Sequence, residues 1–424
     1  ATIVVAVTAN GISLSGAETV TLGETSLTAA TLKAIDVATT GLVTASTVNT
    51  LTGGSVELVH VVTSTGITLN GNETITVTDT GTVAAADLLT IDGKTLQVVD
   101  ATAASALSGA AATVGDAVAA SGLSLTGAET VSLTDTGTLT ATLLHAIDAA
   151  TTGLVTSASV ARITGDVADV LSVVTSNGIS LNGTEAVTIN DTGTLQATDL
   201  ITVDSTTSGL VDATALAALT GTASAVAAVV TSAGMTLNGS ETITVTDAGT
   251  VEASYLYAID TGTTGLINAT ALATLHGSST TVTAVVTSAG VQLTGAETIA
   301  LTDTALTIDT VNAIANRTTG KLDFSEVHTV SGAALSVRTF ANALYNDPTH
   351  AKYVYASDFN VVVDAAFGAL AVSAINTLHQ VTSGTITAVV QDKAAILAAS
   401  LQAHNDSLTI TVNDTNDVPT VTNA

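Results

Sequence analysis

The stretch Gly234–Ala289, GMTLNGSETITVTDAGTVEASYLYAIDTGTTGLINATALATLHGSSTTVTAVVTSA, decides the fold because the chain writes it again and again. Its opening glycine recurs at a constant step, as Gly66, Gly122, Gly178, Gly234 and Gly290, and an earlier copy opens at Gly11. A fixed period of this size marks a repeat architecture, in which each copy buries its apolar face against its neighbours. The expectation is a repeat solenoid: a parallel β-solenoid with short helical segments, about three strand units per copy, closed by an atypical C-terminal module.

Within the quoted copy, ETITVTD (241–247) alternates threonine with Ile or Val, the period-two pattern of a half-buried strand. Val251, Leu256 and Ile259 follow at near-helical spacing. GLIN (265–268) is a second strand candidate, and ATALATLHG (269–277) reads as a helical turn ended by Gly277. SSTTVTAVVTSAG then leads into MTLN as a third strand. The equivalent GTASAVAAVVTSAG of the preceding copy is Ala-rich enough to look helical. Each strand-plus-turn unit would hold roughly 18–19 residues. Equivalent positions of successive copies are expected to stack as ladders, one through Leu32, Leu88, Leu144, Leu200 and Leu256 and another through Leu51, Leu107, Ile163, Leu219 and Leu275.

Outside the regular copies the pattern changes. Residues 1–10 form a partial repeat, so the chain reads as starting in mid-copy, cut from a longer product. Residues 11–303 are the tandem array. Seven of the nine aromatics fall between Phe324 and Phe367, which marks 304–370 as an irregular insertion or docking module. Residues 371–412 are a degenerate solenoid-like cap containing the helical candidate AAILAASLQAH, and 413–424 are a linker.

Composition narrows the function. Apolar residues make up 46% of the chain but aromatics only 2%, with no Trp. That suits a thin interior of Val, Leu, Ile and Ala. Eight basic residues stand against 36 acidic ones, a formal charge of −28. Nucleic acid and anionic membrane surfaces are poor partners for such a chain, whereas divalent cations are good ones. Without cysteine there is no disulfide framework or thiol chemistry. No apolar run is long enough to insert in a membrane.

The acidic residues stand in columns. Glu18, Glu73, Glu129, Glu185, Glu241 and Glu297 follow the turn glycine. Asp79, Asp135, Asp191, Asp247 and Asp303 end the first strand, and Asp36, Asp92, Asp148, Asp204 and Asp260 end the first helical stripe. Asp79, Asp135, Asp191 and Asp247 are candidate calcium ligands, since hard oxygen donors would relieve like-charge stacking. The alternative is that these carboxylates cap turns through backbone N–H groups. The C-terminal NDTNDVP (413–419) resembles the calcium-binding linkers of cadherin-like modules. That resemblance implies Asp414, Asn416 and Asp417 as oxygen ligands to calcium. Residues 1–303 resemble the Thr/Val/Ala-rich repeats of giant bacterial exoproteins, among them S-layer, haemolysin-type and cell-surface proteins. This implies export to the extracellular face of a bacterial cell and a structural or adhesive role.

No G-x-S-x-G, P-loop or H-E-x-x-H motif is present, and the seven histidines share no ligand spacing, so no enzyme is expected. Polysaccharide cleavage would want basic residues and aromatic platforms that 1–250 hardly offers. Threonine rows such as Thr74, Thr76, Thr78 and Thr242, Thr244, Thr246 suit an ice-binding face, or simply a solvated strand. Asn72, Asn182, Asn238 and Asn268 lie in glycosylation sequons. The sequence therefore points to a rigid acidic rod that polymerises through its solenoid ends into a filament or surface layer, with calcium as cement. The alternative is an adhesin segment that grips a surface glycan through 320–370.

Overall fold

The computed structural model describes residues 15–402 and 404–413. It is a repeat α/β fold in which short parallel strands alternate with helices. The copy Gly66–Ser121 shows the unit: strands Ile67–Thr68, Thr74–Val77, Thr82–Ala84, Val99–Asp100 and Ala106–Gly109, with helices Ala85–Asp92 and Ala111–Ala119. Two stretches correct the sequence reading. The helical turn expected at 269–277 is a turn followed by the strand Thr274–Gly277, and the expected strand approach is the helix Ser279–Thr287. The β-branched run TVTAVVT is helical because Ser279, Val282 and Val285 face the core at three-residue steps, and burial overrides weak propensity.

Strand partners such as Thr220 and Thr244 stand at a separation of 24 in the chain, a longer turn than the expected one. One ladder in the N-terminal half runs Leu27, Leu51, Ile75, Val99, Leu123. The next, one copy further on, runs Val83, Leu107, Val131, Val155, Ile179. The physical reason is helical rise. A nine-residue helix spans about 13 Å, the length of a four-residue strand. Replacing one strand side of a coil with a helix therefore lengthens the turn by about five residues. A second expectation falls with the first, because equivalent positions of successive copies are not paired. Leu51 pairs with Ile75, whereas Leu107 belongs to a different sheet.

Except for the last, which ends on Ser407–Val412, each five-strand ladder ends where the next step of the register meets a helix. From Leu123 that step leads to Ile147, inside Ala141–Ala150. In the regular copies the first helix begins on an alanine with no exposure, Ala29, Ala85, Ala141, Ala197 or Ala253. The strand-ending glycine one turn later leaves room for that alanine: a methyl on Gly53 would sit 2.8 Å from Ala29 Cβ.

By contact density the chain forms two units. The first comprises residues up to Thr192 with Thr202–Ala215 and Gly234–Thr236; the second comprises Gly193–Ile201, Leu216–Ala233 and the chain from Leu237. Among the described residues the first holds a three-stranded and three five-stranded sheets, and the second holds three five-stranded sheets, all parallel. In the second unit the alternation continues through the aromatic stretch. Thr329 pairs with Asn360, so that turn is longer than the regular one, and the extra length is accommodated around Asn346–Lys352. Asp347 ties down this excursion by accepting the N–H groups of Ala351, Lys352 and Tyr353 at 2.8–2.9 Å. Burial works against its ionisation, but those three donors outweigh it and hold its carboxyl below the usual range.

Candidate functional site

The carboxylate columns are the sequence-derived candidates, and each has a defined backbone partner. Asp79, Asp135, Asp191 and Asp247 each accept the first N–H of a helix one turn back: Ser55 at 2.6 Å, and Ala111, Val167 and Ala223 at 2.7 Å. Asp303 does the same for Ser279 at 2.6 Å. A helix start has orphan N–H groups and a positive dipole end, so a carboxylate from the adjoining turn caps it twice over, by hydrogen bond and by charge.

The glutamates close turns. In Asn70-Gly71-Asn72-Glu73 the carboxylate accepts the N–H of Asn70 at 2.7 Å and of Gly71 at 3.1 Å. Glu241 repeats this on Asn238 and Gly239, Glu129 on Thr126, and Glu185 on Asn182. Glu73, Glu129, Glu185, Glu241 and Glu297 are all buried. Burial alone would push the Glu129 carboxyl up, but the Thr126 hydroxyl and the loop N–H groups outweigh it and hold it below the ordinary value. Of the five, Glu241 keeps one buried oxygen, Oε2, without a protein partner.

The third column explains the glycine that opens each copy. Asp36, Asp148 and Asp260 accept the hydroxyls of Ser64, Ser176 and Ser288 at 2.8–2.9 Å. A methyl on Gly66, Gly122, Gly178, Gly234 or Gly290 would come within 1.9–2.6 Å of the Asp oxygen of its own turn pair. The glycine period is thus the trace of a carboxylate packed on bare backbone.

Sequence reasoning overlooked the Thr-Thr/Ser-Gly triplets. Thr39, Thr151, Thr207 and Thr318 donate their hydroxyls to the carbonyls of Glu18, Glu129, Glu185 and Glu297 at 2.6 Å. Thr263 does so to Glu241 at 3.1 Å. The triplet recurs visibly in the sequence, so its period was the available signal.

Among the described residues, no three or more His, Cys, Asp or Glu side chains gather in a way that could hold a metal ion. Asp414, Asn416 and Asp417 lie outside the described residues. No described helix is long and apolar enough to cross a membrane. Asn182 and Asn238 use their side-chain N–H groups on the carbonyls of Ala158 and Leu216.

Three of the seven aromatics of the stretch turn inward. Phe324, Phe340 and Phe359 are buried, with Phe324 stacked on Tyr355 at a centroid distance of 5.7 Å and Phe340 edge-on to Phe359 at 6.4 Å. Burial raises the Tyr353 and Tyr355 hydroxyls above their ordinary values. A second buried cluster closes the C-terminal turn, where His379 Nε2 meets Asp406 Oδ2 at 2.8 Å with both side chains almost fully enclosed.

Comparison with known proteins supplies no family. No protein-family model matches the chain, and no curated protein does.

Proposed function

We propose that this is a non-enzymatic structural protein of a bacterial cell surface, which self-assembles into a filament or layer with calcium as a contributing ion. The fold is read as a parallel β-solenoid whose turns carry short helices, in line with the regular parallel register. The observation that carries the assembly reading is an apolar residue left about half exposed once in every copy, at Leu42, Val98, Leu154, Leu210 and Leu266. Apolar side chains exposed at a fixed step offer a second copy the same contact at every repeat. The formal charge of −28 opposes close approach of copies until cations screen it, and Asp414, Asn416 and Asp417 are the proposed calcium ligands. The non-enzymatic reading is supported by the repeated Asp and Glu columns, whose carboxylates cap helices and turns.

Negative-stain electron microscopy of the full chain, with calcium and then with excess chelator, tests the reading. Polymers that dissolve on chelation are expected, and the double variant Leu154→Lys, Leu210→Lys is expected to weaken them. Dispersed single particles in both conditions at high concentration would sink the assembly reading.

The second reading, an adhesin segment, is favoured by one observation. Phe367 stays outward while the other three phenylalanines of the stretch, Phe324, Phe340 and Phe359, enter the core.

A further inference from the structure

In the second unit, a cavity of about 730 Å³ lies over the outward face of one sheet, within the range of small-ligand sites. Its floor is Thr307, Ser331 and Val362, neighbours on consecutive parallel strands. Asp309, Asp364 and Phe367 stand around them. Phe367 is 67% exposed, far more than an apolar ring needs to be if its only role is packing.

The site arises from a break in the capping pattern. In other turns a helix-starting N–H such as that of Ser55 or Ser279 donates to an aspartate of the following turn. Asp79, which caps Ser55, stands at a fixed offset beyond Thr74, the strand partner of Thr50. For the helix that starts at Ala334, the same offset beyond Asn360, the partner of Thr329, falls on Ala365, which has no carboxylate to give. The chain instead makes a short 3-10 turn, Ala365–Phe367, whose end lifts Phe367 outward. Neither flanking aspartate is wholly spent on structure. Asp309 Oδ1 accepts the Ser336 hydroxyl at 2.8 Å, and Asp364 Oδ1 accepts the Ala366 N–H at 3.0 Å. The second oxygen of each has no protein partner among the described residues.

We propose that this cavity binds a neutral pyranose unit of a glycan. A sugar ring has an apolar C–H face that packs on an aromatic ring and vicinal hydroxyls that need acceptors. Phe367 supplies the first, and Asp309 and Asp364, with the hydroxyls of Thr307 and Ser331, supply the second. A purely apolar ligand would desolvate two carboxylates without compensation. Uronates and phosphates would meet like charge. Calcium would want six to eight oxygens and has no use for the ring. The floor residues sit on paired strands, so the polar groups are held before the ligand arrives. The inference rests on the adhesin reading, whose outward Phe367 it uses, and does not depend on the assembly reading.

Saturation-transfer NMR on the full chain, with the methyl glycosides of glucose, mannose and galactose and with glucuronate as the anionic control, tests the proposal. Transfer to at least one neutral glycoside is expected, with little to glucuronate. Phe367→Ala should weaken that binding by about tenfold or more, equivalent to about 1.4 kcal/mol, while Tyr255→Ala on a distant helix leaves it unchanged. Asp364→Asn gives a second arm that keeps the side chain's shape and should also weaken binding. Circular dichroism melts should be unchanged by Phe367→Ala, since the ring is outside the core. No transfer from any neutral glycoside, binding indifferent to both variants, or equal binding of glucuronate would overturn the proposal.

Discussion

At the residue scale, the acidic side chains act as backbone partners before they act as charges. Glu129 is the clearest case, because its buried carboxylate takes the N–H and hydroxyl of Thr126 while its own carbonyl receives the Thr151 hydroxyl. Its folded-state carboxyl titrates below the ordinary value. The stabilisation is therefore fully present above the unfolded value of about 4.3 and is lost as pH falls through the folded value. Glu129→Gln should cost about 1–3 kcal/mol at neutral pH. It should also flatten the decline in stability between about pH 5 and pH 3. Denaturant midpoints of both proteins at pH 7 and pH 3 check this, and an equal drop in the two proteins would count against it. This role was partly legible in advance, since turn capping was one of two readings of the Glu column. The carboxylate's own donors are local, on Thr126; what was not legible is that the Glu129 carbonyl would receive the hydroxyl of Thr151, 22 residues along the chain.

At the element scale, one helix of each regular copy is capped in trans. The helix Ala111–Ala119 has Ala110 at its N-cap, which makes no side-chain hydrogen bond. Asp135, a full turn further along the chain, takes that place. Asp135→Ala should lower stability by about 1 kcal/mol, as loss of an N-cap does, and Asp135→Asn by less. Thermal unfolding of the two variants measures it, and no loss in either would argue that the bond is incidental. Local sequence around Ala110 shows no capping residue, which is one reason the second helix of each copy was hard to see. The Ala-rich copy at 223–231 betrayed it, whereas the β-branched copy at 279–287 hid it.

For the chain as a whole, two periods coexist. The sequence period carries Gly66 to Gly122, and the shorter strand register carries Leu51 to Ile75. Three copies therefore correspond to seven turns. Deleting one whole copy, residues 122–177, joins equivalent positions and should leave a cooperative, folded protein. Deleting one turn, residues 123–146, is the smaller change but joins strand positions to helix positions, and should abolish cooperative unfolding. Circular dichroism melts distinguish the two, and the opposite ranking would refute the register argument.

The sequence by itself determined the period, the alternation of threonine with Val or Ile, the parallel repeat character and the positions of the carboxylate columns. All of these are written in residues close along the chain. Tertiary structure alone decided that Leu51 meets Ile75 rather than Leu107, that Asp135 belongs to the helix at Ala111, and that Phe324, Phe340 and Phe359 turn inward while Phe367 does not. The reason is geometric. The length of a turn depends on how many residues a helix needs to span the distance a strand covers, and only the closed turn brings residues one full circuit apart into contact.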